Sequence, residues 1–431
     1  MKPLLSWNRI PNTQPDQLIT LQHASLPPGG NTPFTVYGNG RSYGDVCLTS
    51  HGSLIYTKHL DRFIQFDRIH GILRCEAGIQ LADILPVIVP HGWFLPVTPG
   101  TRFITTGGAV ANDVHGKNHH NSGSFGHHVT ALGLIRSDHG YLHCSKQQNS
   151  AYFKATIGGL GLTGLISWVE FKLLPIKTEY MTCQAQQFSH IDEYWHLNNT
   201  SAHQNDYTVA WIDCLSRGRA QGRGILFSAR HSDQQQPGKH YHEKFHSMPV
   251  TPPISLVNNL SLRIFNQLYY HWPRKTGTYI SHYTPYFYPL DSIKHWNRMY
   301  GPEGFYQYQC VIPPEHATHA IKQLLRCISN SGQGSFLAVL KSFGTQPAAG
   351  MLSFTRPGTT LALDFPNRGH VTQNLFKQLD QIVFETGGAL YPAKDARMPT
   401  TLFRSSFPQW QKFSEYTDPC FSSDFWRRMN S

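Results

Sequence analysis

Two kinds of hydrophobic pattern run along the chain. Up to about residue 178, short β-branched and aromatic runs stand between glycine-bearing turns: Thr35–Tyr37, Leu54–Tyr56, Ile72–Glu76, Leu132–Arg136 and Ile166–Leu173. They predict a strand-rich region. Beyond residue 300 the period lengthens. Phe305–Ile312 reads as a strand. Pro313–Ser329 reads as a helix, with proline near its first turn and Ala317, Ile321, Leu324, Leu325 and Ile328 on one face. Ser335–Phe343 and Thr359–Phe365 read as strands. Thr372–Thr386 reads as a helix with Leu375, Leu379, Ile382 and Val383 on one face, closed by Gly387 and Gly388. Ala389–Ala393 returns as a strand. This order is an α+β split-βαβ pattern. The expected fold is α+β in two domains: residues 1–178, then 179–388, with 389–431 returning to the first. The polar, His-rich stretch from His231 to Pro253 reads as an excursion.

Composition narrows the picture. A chain of 431 residues has room for two domains and can bury its cores without disulfides. The eight cysteines are scattered with no CxxC pair, which suits reduced thiols and a cytoplasmic setting. No His-Glu-x-x-His pair occurs. The most apolar stretch, Leu81 to Val97, is interrupted by Pro86, Pro90 and Pro96, so no membrane span is predicted. The opening MKPLLSWNRIPNTQPDQ lacks the apolar core of a signal peptide. A net charge of +11 admits nucleic acid, an anionic membrane face or a phosphorylated small molecule as partner. The basic clusters are short, as in Arg217–Arg223, which argues against nucleic acid.

Three glycine loops lie between the early strands. The first, Gly38-Asn-Gly40-Arg41-Ser42-Tyr43-Gly44, follows a strand and runs into another. It is neither a Rossmann fingerprint nor a P-loop. Gly40 to Gly44 fits the G-x-S-x-G of a nucleophile elbow, but no helix follows. The second loop runs from Pro99 through Gly100, Thr105, Gly107, Gly108, Asn112 and His115 to His120. The third is Gly158–Gly164. Together they suit one extended, dinucleotide-sized ligand.

These loops resemble the FAD-binding domain of the vanillyl-alcohol-oxidase type flavoenzymes. GNGRSYGD, PGTRFITTGGAVANDVHGKNHHNSGSFG and GGLGLTGLI are similar, more closely, to the decaprenylphosphoryl-ribose 2-epimerase oxidase family. The likeness continues in order through RKTGTY, HWNRMYGPEGFYQYQCVIP, FLAVLKSFG, LDFP and YPAKDAR. It implies FAD, with Gly38, Gly40, Arg41, Ser42, Tyr43, Gly44, Gly100, Thr105, Gly107 and Gly108 around the pyrophosphate. Asn112, His115 and Ile166 would lie along the flavin or its ribityl chain, with Tyr391 returning from the last segment. Covalent members tether the flavin to a histidine of the first loop. Tyr43 stands there, so the flavin is expected to be non-covalent, with His115 the alternative tether.

Oxidation of an alcohol needs a hydride acceptor and a base. Lys394, at the end of an apolar run, is either a desolvated base or an ion-pair partner of Asp395. Lys341 lies in an apolar strand and either faces a cleft or snorkels. Gln307 and Gln309 share one strand face. The resemblance makes Lys394, His115, Lys341, Gln307 and Gln309 active-site residues and puts Phe343, Thr360 and Ala362 in the substrate pocket. Thr360 and Ala362 depart from the Asn and Cys of the family. His115, His119 and His120 complete no metal site, the last two being expected to stabilise the loop from opposite sides of an extended segment.

The implied reaction is oxidation of the 2-hydroxyl of a polyprenylphosphoryl ribose to the 2-keto sugar. An NAD(P)H-dependent reductase would complete the epimerisation to arabinose, and a quinone or O₂ would reoxidise the flavin. Association would be peripheral, at the inner membrane face. The rivals are a soluble sugar or aldonolactone oxidase, a flavin-free binding protein and a Ser42 hydrolase.

Overall fold

The computed structural model describes residues 4–27, 32–234, 241–272 and 277–431. Residues 274–276 of the RKTGTY run and 235–240 of the His-rich stretch lie outside the described residues. Three sheets carry the architecture. A small parallel sheet has the order Gln17–Thr20, Ser53–Tyr56, Phe34–Tyr37. An antiparallel five-stranded sheet has the order Phe63–Asp67, Ile72–Glu76, Leu165–Lys172, Val129–Arg136, Gly140–Ser145. Every strand expected before residue 178 matches a strand of these two, the expected Ile166–Leu173 ending one residue earlier at Lys172.

The apolar stretch after residue 80 is short helix rather than membrane span. The helix Leu81–Ile88 holds Pro86 inside it and buries Leu81, Ile84, Leu85 and Ile88, a one-sided helical stripe. Pro90 sits in the 3₁₀ turn Val89–His91, which Gly92 ends at φ 78°. No helix among the described residues is long and apolar enough to cross a membrane.

The third sheet has eight strands. Its order is Thr278–His282, Tyr180–Phe188, Gly224–His231, Tyr207–Ile212, Val339–Phe343, Gly358–Pro366, Phe305–Ile312, Ala389–Leu390, with every neighbouring pair antiparallel. The helices Ile191–Gln204, Pro314–Ser331 and His370–Glu385 pack their apolar residues into one core with it. The two later helices match the periodicity. Ala317, Ile321, Leu324, Leu325 and Ile328 are buried in the first, and Leu375, Leu379 and Val383 in the second.

Two expected strands are shorter than the pattern suggested. Ser335–Ala338 precedes the strand that begins at Val339, because the buried Ser335 hydroxyl accepts from Leu337 N (3.0 Å) and Asp364 N (3.0 Å), two amides that a continuing strand would give to backbone carbonyls. The last strand ends at Leu390, because Pro392 starts the 3₁₀ turn Pro392–Lys394. From there the chain returns to the first loops. Phe34 N donates to Cys420 O (2.6 Å), Ser422 N to Phe34 O (2.8 Å) and Tyr43 N to Ala393 O (2.9 Å).

Candidate active site

A cavity of about 450 Å³ is lined by all three glycine loops and by the face of the eight-stranded sheet that carries Val209, Trp211 and Val339. That volume suits a small-molecule or cofactor site.

The first loop leaves the strand Phe34–Tyr37 and turns twice in the left-handed region, at Gly40 (φ 57°) and Gly44 (φ 73°). A Cβ at Gly40 would stand 1.9 Å from the Tyr37 hydroxyl, and one at Gly44 1.6 Å from the Asp395 carbonyl oxygen. Only glycine fits at either place. Asn8 Oδ1 accepts from Gly44 N (2.9 Å), and Ser42 O accepts from Trp7 N (2.9 Å). Among the described residues, the N–H groups of Gly40, Arg41 and Ser42 meet no acceptor, which leaves three donors for an anion. The Arg41 guanidinium lies over the rings of Trp7 (4.3 Å) and Phe103 (5.2 Å). The element after Ser42 is the strand Ser53–Tyr56, not a helix, so the elbow geometry of a serine hydrolase is absent.

The second loop contains a helix that its glycines concealed, Thr106–Ala111. Thr105 caps it by accepting from Gly108 N (3.1 Å). Gly107 N donates to Ala77 O (2.8 Å), and a Cβ there would come within 2.9 Å of Ala77 Cβ. A Cβ at Gly100 would meet nothing within 4 Å. Asn112 donates to Gly108 O (2.9 Å), while its Oδ1 is buried with no partner. Tyr391 donates its hydroxyl hydrogen to Asn112 O (2.9 Å). Buried Asp113, which the sequence reading passed over, folds the loop back. It takes hydrogen bonds from Ser124 Oγ (2.9 Å) and Gly126 N (2.9 Å). In the third loop, Gly158 N and Leu160 N donate to Val110 O (2.9 Å) and Ala111 O (2.7 Å). Ile166 lines the cavity beside it.

These features fit FAD. The free donors and small residues suit a pyrophosphate, Ile166 and Leu160 supply apolar wall, and the orphaned Asn112 oxygen offers an acceptor to a ring N–H or a hydroxyl.

The facing sheet sets the polar residues by register. Gln307 pairs with Asp364 and Gln309 with Ala362, while Lys341 pairs with Thr360. All six line the cavity. Gln307 donates to Asp364 Oδ1 (2.6 Å); the other Asp364 oxygen is buried without a partner. Burial lifts the Asp364 carboxyl to about 7, against the pull of Gln307 and Lys394. Lys394 lies at the end of its 3₁₀ turn with Nζ 4.0 Å from the centre of the Tyr43 ring. Burial brings it down to about 8, opposed by Asp364. It does not pair with Asp395, whose carboxylate accepts from Arg428 (2.9 Å) and Met398 N (2.8 Å). Arg428 also holds Asp45 (3.0 and 2.9 Å) and so ties the first loop to the Lys394 turn.

His115 Nε2 lies 3.0 Å from Gln309 Nε2, and its Nδ1 lies 3.1 Å from Lys341 Nζ. Burial, then the Lys341 charge, keeps the imidazole well below its usual range. Burial and the neighbouring Lys117 bring Lys341 to about 7. Lys117, missed as a site residue, is likewise brought to about 7 by burial. It donates to Tyr286 O and lies over the Tyr286 ring at 4.3 Å.

Phe343 and Gly44 do not line the cavity. Phe343 stacks behind it, 4.9 Å from His115 and 4.3 Å from His119. His119 and His120 stand in the helical turn His119–Ser122, not in an extended segment. Gly344 N donates to His119 Nδ1 (3.2 Å), and His120 Nε2 meets Asn205 O (3.3 Å), so both brace the loop. Among the described residues, no three His, Cys, Asp or Glu are grouped to hold a metal ion.

Comparison with known proteins places this geometry. Residues 26–145 match the FAD binding domain family. The chain is similar to decaprenylphosphoryl-β-D-ribose oxidase of Mycolicibacterium smegmatis, at 33% identity over 99% of this chain and 97% of that one. It is 30% identical to a Streptomyces coelicolor protein of unassigned role, over 81% of this chain and 100% of that one. A likeness to mouse L-gulonolactone oxidase, at 28% identity, covers 38% of each chain.

Proposed function

The chain belongs to the family of FAD-dependent oxidoreductases that contains decaprenylphosphoryl-β-D-ribose oxidase, and from that premise we propose that it oxidises the 2-hydroxyl of a polyprenylphosphoryl ribose to the 2-keto sugar. The observation that carries the reading is one cavity in which the glycine loops meet a sheet face bearing Gln307, Gln309 and Lys341, with Lys394 beside them.

Gly38, Gly40, Arg41, Ser42, Tyr43, Gly100, Thr105, Gly107 and Gly108 hold the pyrophosphate, Gly44 shapes the turn from outside the cavity, and Asn112, Ile166 and Tyr391 flank the ring system. The flavin, when bound, supplies the two-electron acceptor for the carbinol hydride. Lys394 Nζ, in its neutral form, takes the proton of the 2-hydroxyl. Asp364 opposes the loss of the Lys394 proton and so sets the pH at which that base is free. Gln307 and Gln309 orient the sugar through their amides, and Thr360 and Ala362 shape the pocket beside them. Lys117, Lys341, Lys394 and Arg41 face only Asp291 and Asp364 among the lining carboxylates, an excess of positive charge that suits a phosphorylated substrate.

The flavin is non-covalent. Tyr43 in the first loop cannot serve as a histidine tether, and Gln309 and Lys341 already occupy both His115 nitrogens. The division into a cofactor domain (1–178), a substrate domain (179–388) and a returning segment (389–431) is supported by the strand sets of the second and third sheets, of which only Ala389–Leu390 crosses the last boundary, and by the contacts of Ala393, Cys420 and Arg428 with Tyr43, Phe34 and Asp45. The keto sugar would pass to an NAD(P)H-dependent reductase, giving arabinose, and a quinone or O₂ would reoxidise the enzyme. Peripheral association at the inner membrane face would bring it to its lipid-linked substrate.

An anaerobic visible spectrum tests this. Bound flavin should bleach on addition of polyprenylphosphoryl ribose. Flavin that bleaches only with a free sugar or lactone, releasing H₂O₂ in air, would instead favour the soluble oxidase that the partial likeness to L-gulonolactone oxidase suggests. A protein that takes up no flavin would overturn both.

A further inference from the structure

The helix Asn259–His271 has an apolar side that none of the described residues covers. Leu262 and Asn266 face inward and are buried, with Asn266 Nδ2 donating to Asp213 Oδ1 (2.7 Å). Tyr269, on that inward side, lines the cavity and packs on Trp211 (4.7 Å). Leu260, Ile264 and Leu268 recur every fourth residue on the outward side, and Trp272 extends the same stripe. They are 69%, 53%, 60% and 65% exposed, far more than soluble helices leave for residues of this size. The chain entering the helix continues the surface. Val250, Ile254 and Leu256 are exposed, and Leu256 O accepts from Ser261 Oγ (2.8 Å), which fixes that segment to the first turn of the helix.

Within the segments that make this surface, the charge has one sign. From Lys244 to Leu290 the sequence contains no Asp or Glu, while it contains Lys244 and Arg263. The Arg263 guanidinium bonds Asn259 Oδ1 (2.8 Å) and has no carboxylate partner among the described residues. Arg298 donates to Met248 O (2.9 Å) and Pro249 O (2.7 Å), adding a further cation under the entering segment.

We propose that the outward face of the helix Asn259–His271, with the segment from Val250 to Leu256, is the surface by which the protein lies on an anionic lipid bilayer. A helix with a bare apolar stripe, flanking cations and an exposed tryptophan lies in the plane of the interface, its apolar side in the acyl boundary. Anionic headgroups satisfy the unpaired cations. A second copy of the chain is the poorer occupant, because a two-fold contact through this face would set the same cations against each other. Since Tyr269 on the inward side lines the cavity, a docked helix puts the site at the membrane surface, where a polyprenyl-linked sugar resides. The purpose of the surface thus rests on the proposed substrate; its existence does not.

The test uses the full-length flavin-loaded protein and vesicles of phosphatidylglycerol and phosphatidylcholine, with no sugar present. The protein should sediment with the mixed vesicles and be released by salt. The triple substitution Leu260→Asp, Ile264→Asp, Leu268→Asp should weaken vesicle binding at least tenfold while flavin content stays unchanged. Arg263→Glu, which leaves the apolar stripe intact, should weaken binding to the anionic vesicles several-fold and leave binding to pure phosphatidylcholine unaltered. Failure of the wild-type protein to bind, or equal binding by the triple variant, would overturn the proposal. So would a wild-type dimer, seen by sedimentation velocity, that the triple variant dissociates. If vesicle binding behaves as stated but polyprenylphosphoryl ribose does not bleach the flavin, the surface stands and the substrate assignment falls.

Discussion

Lys341 Nζ stands 3.1 Å from His115 Nδ1, and neither side chain forms an ion pair with a carboxylate among the described residues. With the Gln309 amide donating to Nε2, the ring proton sits on Nδ1 and is given to a neutral Lys341 amine. A protonated Lys341 must donate to Nδ1 instead, which moves the ring proton to Nε2 and turns the Gln309 amide to present its oxygen. The protonation of one lysine is thereby coupled to the tautomer of the histidine and the orientation of the glutamine.

Replacing Lys341 by Met should have two measurable effects. The pH profile of anaerobic flavin reduction should change near 7, where Lys341 contributes beside Asp364 and Lys117, and keep its limb near 8, that of Lys394. The apoprotein should also gain thermal stability. The folded-state value of Lys341 lies below the ordinary 10.5, so the unfolded chain binds more protons between about 7 and 10.5. Wild-type stability therefore rises with pH across that window. The gain from the substitution should be largest at and below pH 7 and fade toward pH 10.5.

Asp364 is the group that holds the Lys394 proton in place. In Asp364→Asn, Lys394 loses its opposite charge and should deprotonate more readily. The limb assigned to Lys394 should move to lower pH by about one unit. An unmoved limb, with flavin content normal, would remove Asp364 from this role.

Two glycine substitutions should separate folding from cofactor binding. Gly44→Ala drives a methyl into the Asp395 carbonyl and demands a left-handed alanine, so the apoprotein itself should be destabilised. Gly100→Ala meets no protein atom within 4 Å and should leave the melting temperature of the apoprotein nearly unchanged. Because that methyl points into free space at the cavity wall, it should weaken FAD binding about tenfold or more, as read by titration of the apoprotein with FAD.

Arg428→Ala should strip the shared cation from Asp45 and Asp395, both almost fully buried. Removing one partner of such a set costs about 3–5 kcal/mol. Chemical denaturation should show that loss. The flavin should dissociate faster than from the wild-type protein, since the first loop and the Lys394 turn are no longer tied.

Much of this was legible in the residues. The helices Pro314–Ser331 and His370–Glu385 announce themselves by spacing, and the glycines of the first loop mark turns that only glycine can make. The helix Thr106–Ala111 was hidden because TGGAVA carries two poor helix formers; its signal is the Thr105 cap. Asp364 reads as the end of a strand until register places it opposite Gln307. Lys117 gave no local sign, because the ring and carbonyl that enclose it belong to Tyr286, far along the chain. The Ser335 and Pro392 turns cut two strands short for reasons of single side chains that a period cannot register.

The bond between Arg428 and Asp45 joins positions 383 residues apart. At a synthesis rate of about 5–20 residues per second, the first glycine loop leaves the ribosome roughly 20–80 s before the arginine that clamps it exists. Every nascent chain thus passes through an interval with an open, half-built cradle and its apolar walls exposed. Flavin loading is therefore a late event, following the synthesis of Arg428 rather than that of the loops, and a ribosome stalled short of Arg428 should display chains that cannot retain the cofactor however complete their early strands.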